Sequence, residues 1–175
     1  MKKMFLLIAA FSMLTFYTAE GQQRAASPAA KVEQKVGLTD VTLEYSRPGV
    51  KDRTIFAADG LVPFGKVWRT GANAASKVTF SDDVKLAGQD LAAGSYAILT
   101  IPNKDSWDVH FHTYDGGRWS PYADKTPALA IKATPAMMDI SVESFMIGIT
   151  DLRDYSATLF IAWENTLVPI ALEVK

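Results

Sequence analysis

Two groups of residues in this chain have the types and spacing to do chemistry. The first is His110-Phe-His112, which holds the chain's only 2 histidines. Side chains on a strand alternate with period two, so both imidazoles would project from one face, with Asp108 in line. Two imidazoles and a carboxylate can begin a zinc or copper site. A metal-dependent hydrolase using Asp108, His110 and His112 is therefore one reading, and its third ligand must be a carboxylate. The competing reading leaves all three as polar residues on the solvated face of a strand whose other face carries Trp107, Val109 and Phe111.

The second group centres on Leu61-Val-Pro-Phe-Gly-Lys-Val-Trp-Arg-Thr-Gly-Ala-Asn73. This stretch follows neither the strand nor the helix period, yet it places Lys66, Trp68, Arg69 and Asn73 together. Arg47 and Arg53 lie just upstream. A guanidinium binds carboxylate or phosphate through a planar fork that lysine cannot copy, so these cations could gather around one anionic group. Exposed indoles offer a stacking face to a pyranose, and Trp68 and Trp119 lie in irregular segments. The expected ligand site is thus Arg47, Arg53, Trp68, Arg69, Asn73 and Trp119, for a glycan or a small anion. The plainer account has Trp68 filling the core while Arg69 and Asn73 bond loop carbonyls and carboxylates, making the loop a lock on the fold.

Other chemistry finds little footing. Cysteine is absent, there is no Gly-x-Ser-x-Gly elbow, and Ser95 after Gly94 is an ordinary turn serine. Paired carboxylates for glycoside cleavage must face each other roughly 5–9 Å apart, whereas the aspartates here mostly occupy turns, where they bond nearby backbone. Gly116-Gly117 is not followed by a helix, so no phosphate loop or dinucleotide fingerprint is present. The reading is a binding or envelope-accessory module with no cofactor, rather than a common hydrolase.

The N-terminus sets the expected compartment. Lys2 and Lys3 precede the apolar run Met4–Tyr17, and Ala19-Glu-Gly21 supplies small residues at a signal-peptidase site. The run is shorter than the roughly 20 residues of a membrane span. Residues 1–21 are expected to be a cleaved leader, with a signal-anchor as the alternative; after cleavage no stable membrane span is expected, and the protein would be periplasmic or extracellular. The whole chain carries 18 basic and 19 acidic residues. Removing the leader takes two lysines and one glutamate, leaving 16 against 18 and a formal charge of −2. That balance, without a basic cluster, argues against nucleic acid as partner. The lack of cysteine excludes disulfides and a lipidated anchor.

These candidate residues need a scaffold, and the periodicity supplies one. Residues 22–30 read as a disordered tether and 31–175 as a single domain. Val41, Leu43 and Tyr45 alternate with polar residues up to Pro48. Val78 and Phe80, then Val84 and Leu86, flank a turn at Ser81–Asp83; Gly88–Asp90 and Ala92–Gly94 are further turns. Tyr96–Ile101 reads as a central strand and Trp107–Phe111 as another. Ile140 to Ile149 forms a strand with a phase change near Ser144 that leaves room for a bulge. Thr158–Trp163 and Val168–Val174 read as a hairpin across Glu164-Asn-Thr166, and Pro127–Met138 as a turn or two of helix at most. Seven or eight short strands at this spacing specify an all-β fold, an antiparallel β-sandwich or Greek-key barrel with little helix. Its expected core includes Leu43, Tyr45, Phe80, Ile98, Ile101, Trp107, Phe145, Phe160 and Trp163.

With Tyr45-Ser-Arg-Pro48 before it and Ala93-Gly-Ser-Tyr96 after it, the Trp68-Arg-Thr-Gly-Ala-Asn73 stretch resembles a family of secreted proteins from Gram-negative bacteria, catalogued as domain of unknown function 2911. The resemblance runs from about Lys35 to the C-terminus. It implies a compact β-rich domain and supplies no activity. Its pattern includes Arg47, Pro48, Gly65, Trp68, Arg69, Thr70, Gly71, Ala72 and Asn73, but does not place histidine at 110 or 112.

Overall fold

A computed structural model of the chain describes residues 25–175. The expected leader and the first part of the expected tether lie outside the described residues. The remainder of that tether is ordered into the fold: Ala29 and Ala30 already belong to the first strand.

Two antiparallel sheets face each other across one core. The larger has six strands in the order β1 (Ala29–Val36), β2 (Thr39–Ser46), β5 (Ser76–Phe80), β8 (Gly94–Ile101), β9 (Trp107–Thr113) and β10 (Leu129–Ala133). The smaller runs β11 (Ala136–Thr150), β12 (Ser156–Glu173), β6 (Val84–Leu86) and β7 (Gln89–Leu91). A short parallel pair, β3 (Phe56–Ala57) and β4 (Val62–Pro63), lies in the long connection after β2. The fold is a single all-β sandwich, as the alternation requires.

The alternation works where the strand is regular. Val41, Leu43 and Tyr45 are buried on β2, as are Val78 and Phe80 on β5 and Trp107, Val109 and Phe111 on β9. Of the other expected core residues, Ile98, Phe145 and Trp163 are buried, whereas Ile101 and Phe160 are only half-buried. Parity explains the difference. Ile101 is three residues from Ile98, and Phe160 three from Trp163, so each pair must lie on opposite faces of a regular strand. Phe160 instead packs its ring over Gly148, where a Cβ would come within 2.6 Å of it.

Three expected elements differ. The C-terminal hairpin is one continuous strand, β12. Apart from the small Ala162, its buried apolar residues are odd-numbered through Ala157, Leu159, Ile161 and Trp163, then even-numbered through Val168, Ile170 and Leu172. Glu164, at φ 53°, flips the phase as a bulge rather than reversing the chain. Leu129–Ala133, in the stretch read as at most a turn or two of helix, pairs as a strand with β9 from Leu129–Phe111 to Ala133–Trp107. Gln89 and Asp90, expected in a turn, begin β7, because Ala87 (φ 48°) and Gly88 (φ 76°) make the reversal themselves.

Candidate functional site

The site begins with the irregularity near Ser144. Val142 faces Glu164 and Met146 faces Ala162, so β11 uses more residues than β12 over this stretch and bulges. The freed backbone turns to a different partner. Phe145 N–H donates to the Pro48 carbonyl (2.9 Å) and Val50 N–H to the Glu143 carbonyl (2.8 Å), tying the end of one sheet to the other. Arg47 Nε donates to the Phe145 carbonyl (2.9 Å) and Trp163 Nε1 to that of Glu143 (3.3 Å). Glu143 Oε1 accepts from Lys51 N–H at 3.2 Å. Lys51 (φ 50°) and Asp52 (φ 56°) then form a left-handed reversal. Arg53 clamps it, with Nε on the Val50 carbonyl (3.0 Å) and Nη2 on that of Gly49 (2.6 Å).

Opposite this turn, Trp68 borrows the edge of β8 beyond the end of β5. Trp68 and Thr100 exchange backbone bonds of 2.7 and 2.9 Å, which sends the indole inward. There it stacks on Trp163 at 5.7 Å and 16°, and meets Phe56, Trp107 and Phe145 edge-on. Thr70 is wholly buried at φ 54°, a rare conformation for a β-branched residue. It is held by Thr100 Oγ1 at 3.1 Å and by Ser76 Oγ on its carbonyl at 2.5 Å. Left-handed backbone of this kind persists only where its surroundings fix it, and it clusters at functional sites.

Between these two segments lies a pocket of about 330 Å³. Lys51, Arg53 and Arg69 line it together with the apolar surfaces of Pro48, Leu61, Val62 and Trp68, and Ala26 and Ser27 form part of its rim. No carboxylate is among its lining residues. Among the described residues, none of the three cations is in an ion pair. The Arg69 Nε is buried without a hydrogen-bond partner, a rare condition for a charged donor.

Of the expected site residues, Arg53, Trp68 and Arg69 meet at this pocket. Arg47 is next to it, with its Nε on the fold. Asn73, at φ 58°, bonds Ser27 O and Ser46 Oγ, both at 3.2 Å, and so clasps the segment before β1. Trp119 lies outside the sandwich, with the Arg69 guanidinium 5.9 Å from its ring centre. Lys51 and Trp163 are lining residues that sequence reasoning missed. Lys51 had a local signal in its place between Arg47 and Arg53; Trp163, about ninety residues away, had none.

The histidines sit differently from either sequence reading. The face of β9 expected to be solvated is covered at His112, which is 3% exposed beneath a second apolar cluster of Ala75, Ala97, Leu99 and Tyr122. The covering segment is pinned by Ala75 N–H on the Gly117 carbonyl and Ala128 N–H on that of Phe111, both 2.8 Å. Tyr122, on a 3-10 turn over Ser120–Tyr122, donates to the Gly116 carbonyl at 2.8 Å. Neither ring nitrogen of His112 has a partner, and burial pushes its pKa below the ordinary value, with His110 and Lys125 adding to the effect. His110 lies 6.0 Å away, ring centre to ring centre. Asp108 is engaged by Lys132 at 2.7 Å. Among the described residues, no group of three or more His, Cys, Asp or Glu side chains is placed to hold a metal ion. Nor is any helix among them long and apolar enough to cross a membrane.

No curated protein and no solved structure matches this chain. A family model described as protein of unknown function, DUF2911, matches residues 27–172, from the rim of the pocket through nearly all of β12. The chain belongs to the DUF2911 family.

Proposed function

We propose that the protein is an exported binding module whose pocket at Lys51, Arg53 and Arg69 holds a small anionic ligand. The observation that carries this reading is, among the described residues, three cations lining one pocket, with Glu143 the one carboxylate bonded to a lining residue and none of the three cations in an ion pair. Three cations beside a single neighbouring carboxylate, Glu143, leave an excess of positive charge, and an anion that binds there relieves their mutual repulsion. A neutral glycan is less well supported. Sugar stacking needs an open aromatic face, but Trp163 covers one face of Trp68, and Arg69 lies over Trp119. No observation favours the hydrolase reading on Asp108, His110 and His112.

A thermal-shift series at low ionic strength tests the proposal. Inorganic phosphate, sulfate and small carboxylates should raise the melting temperature in proportion to the logarithm of concentration above Kd, with the effect weakened by sodium chloride and lost in Arg69→Ala. Absence of any anion-dependent stabilisation in a folded protein would overturn it. Export rests on Lys2, Lys3, the apolar run and the small residues ending at Gly21. N-terminal sequencing of protein from the periplasmic fraction should begin near Gln22; a retained Met1 in the membrane fraction would contradict it.

A further inference from the structure

We propose that the ligand of this pocket is a phosphate monoester in its dianionic form, carried on a compact apolar body; the proposal rests on the anion-binding reading above. Charge is the first argument. With Glu143 beside Lys51, the three cations keep a net excess of positive charge that a monocarboxylate matches only in part, whereas a phosphate monoester carries about −1.5 to −2 at neutral pH and three strong acceptor oxygens.

The donors match that count. Arg53 spends Nε and Nη2 on the Val50 and Gly49 carbonyls, which fixes its guanidinium and leaves Nη1 outside those bonds. Lys51 brings an ammonium on the same turn, held in place by the Glu143 bond to its backbone N–H. Arg69 brings a second guanidinium from the other segment. Three separate cationic groups suit a tetrahedral head with three oxygens better than a planar carboxylate with two.

The apolar part follows from the rest of the lining. Pro48, Leu61, Val62 and Trp68 contribute hydrocarbon surface to the same cavity. Its volume of about 330 Å³ is at the small end of ligand pockets. A bare ion would leave this surface wet. A metabolite-sized ester places its phosphate among the cations and its body against the apolar wall.

The test is a calorimetric comparison on the protein as purified from its producing cell, using phenyl phosphate, phenyl sulfate and inorganic phosphate. Phenyl sulfate has the same shape and a tetrahedral head but a single charge. Phenyl phosphate should bind at least about tenfold more tightly than phenyl sulfate above pH 7. That advantage should shrink as the phosphate takes up its second proton near pH ~6. Inorganic phosphate should bind more weakly than phenyl phosphate, and Lys51→Ala should narrow the gap between phosphate and sulfate esters. Equal binding of the two esters would overturn the dianion assignment while leaving the anion pocket intact. Inorganic phosphate binding as tightly as phenyl phosphate would overturn the apolar body. Binding of none of the three by folded protein would overturn both this proposal and the reading it rests on.

Discussion

Arg69→Ala separates a ligand residue from a fold residue. In the fold, Arg69 makes no ion pair among the described residues, and its Nε has no partner. Its identifiable contribution is the contact with Trp119 at 5.9 Å, worth ~0.5–1 kcal/mol at a partly exposed site. Two effects work the other way. Truncation removes a buried donor that has no protein acceptor, and it removes repulsion toward Lys51 and Arg53. Between solvent-facing like charges such repulsion is on the order of 0.5 kcal/mol in water and more near a protein surface. The terms nearly cancel, so the variant should unfold within about 1 kcal/mol of the parent, a shift of ~2–4 °C at most in a domain this size. Were Arg69 instead held by buried charge-assisted bonds, its loss would cost ~1.5–3 kcal/mol. Urea unfolding at low and near-physiological ionic strength, paired with an anion titration, measures both sides. The parent should gain more stability from added salt than the variant, because only the parent has the full repulsion to screen. A loss beyond about 2 kcal/mol with anion binding unchanged would make Arg69 a residue of the fold and not of the ligand site.

The buried His112 predicts an acid-side loss of stability. Its folded-state pKa is depressed below 6.5 by burial, with His110 and Lys125 adding to it. The unfolded chain therefore takes up a proton that the folded chain refuses, so the contribution is complete above 6.5 and is lost as pH falls below it. The groups facing the ring are His110 on β9 and Tyr122 and Lys125 on the covering segment. His112→Phe should flatten the fall in urea-unfolding stability between neutral pH and about pH 5; an unchanged slope contradicts this. Gly71→Ala should destabilise by ~1–3 kcal/mol, because φ is 142° and a Cβ would meet Ser46 O and Ser76 Oγ, each at 3.0 Å; a neutral result in a melt would show that the backbone can shift. Phe145→Ala should cost ~3–5 kcal/mol, since that fully buried ring packs on Tyr45, Trp68 and Trp163 at 5.2–5.8 Å; less than about 2 kcal/mol would mean the bulged end of the sandwich collapses around the cavity.

What could be read from the chain alone was what depends on neighbours in sequence. Val41, Leu43 and Tyr45 declare an inward face because a strand alternates with period two, whatever it packs against. The same rule placed Val78, Phe80, Trp107 and Phe111, and the break in it near Ser144 marked the bulge. It could not distinguish a reversal from a bulge at Glu164, because both flip the phase, and only the ladder to β11 shows that the strand continues. Arg53, Trp68 and Arg69 stood out as chemistry-bearing types in an irregular stretch, but their partners lay beyond local reach. Trp163 and the Glu143–Phe145 bulge are brought to the pocket by β11 and β12, about ninety residues along the chain. His112 illustrates the same limit from the other side. Its position on β9 was legible, but its burial comes from Tyr122 on a later segment that folds back over the sheet. Alternation is a property of the backbone and is written locally. Burial and the convergence of charge depend on which distant segments come to lie side by side, and the packing of the two sheets decides that.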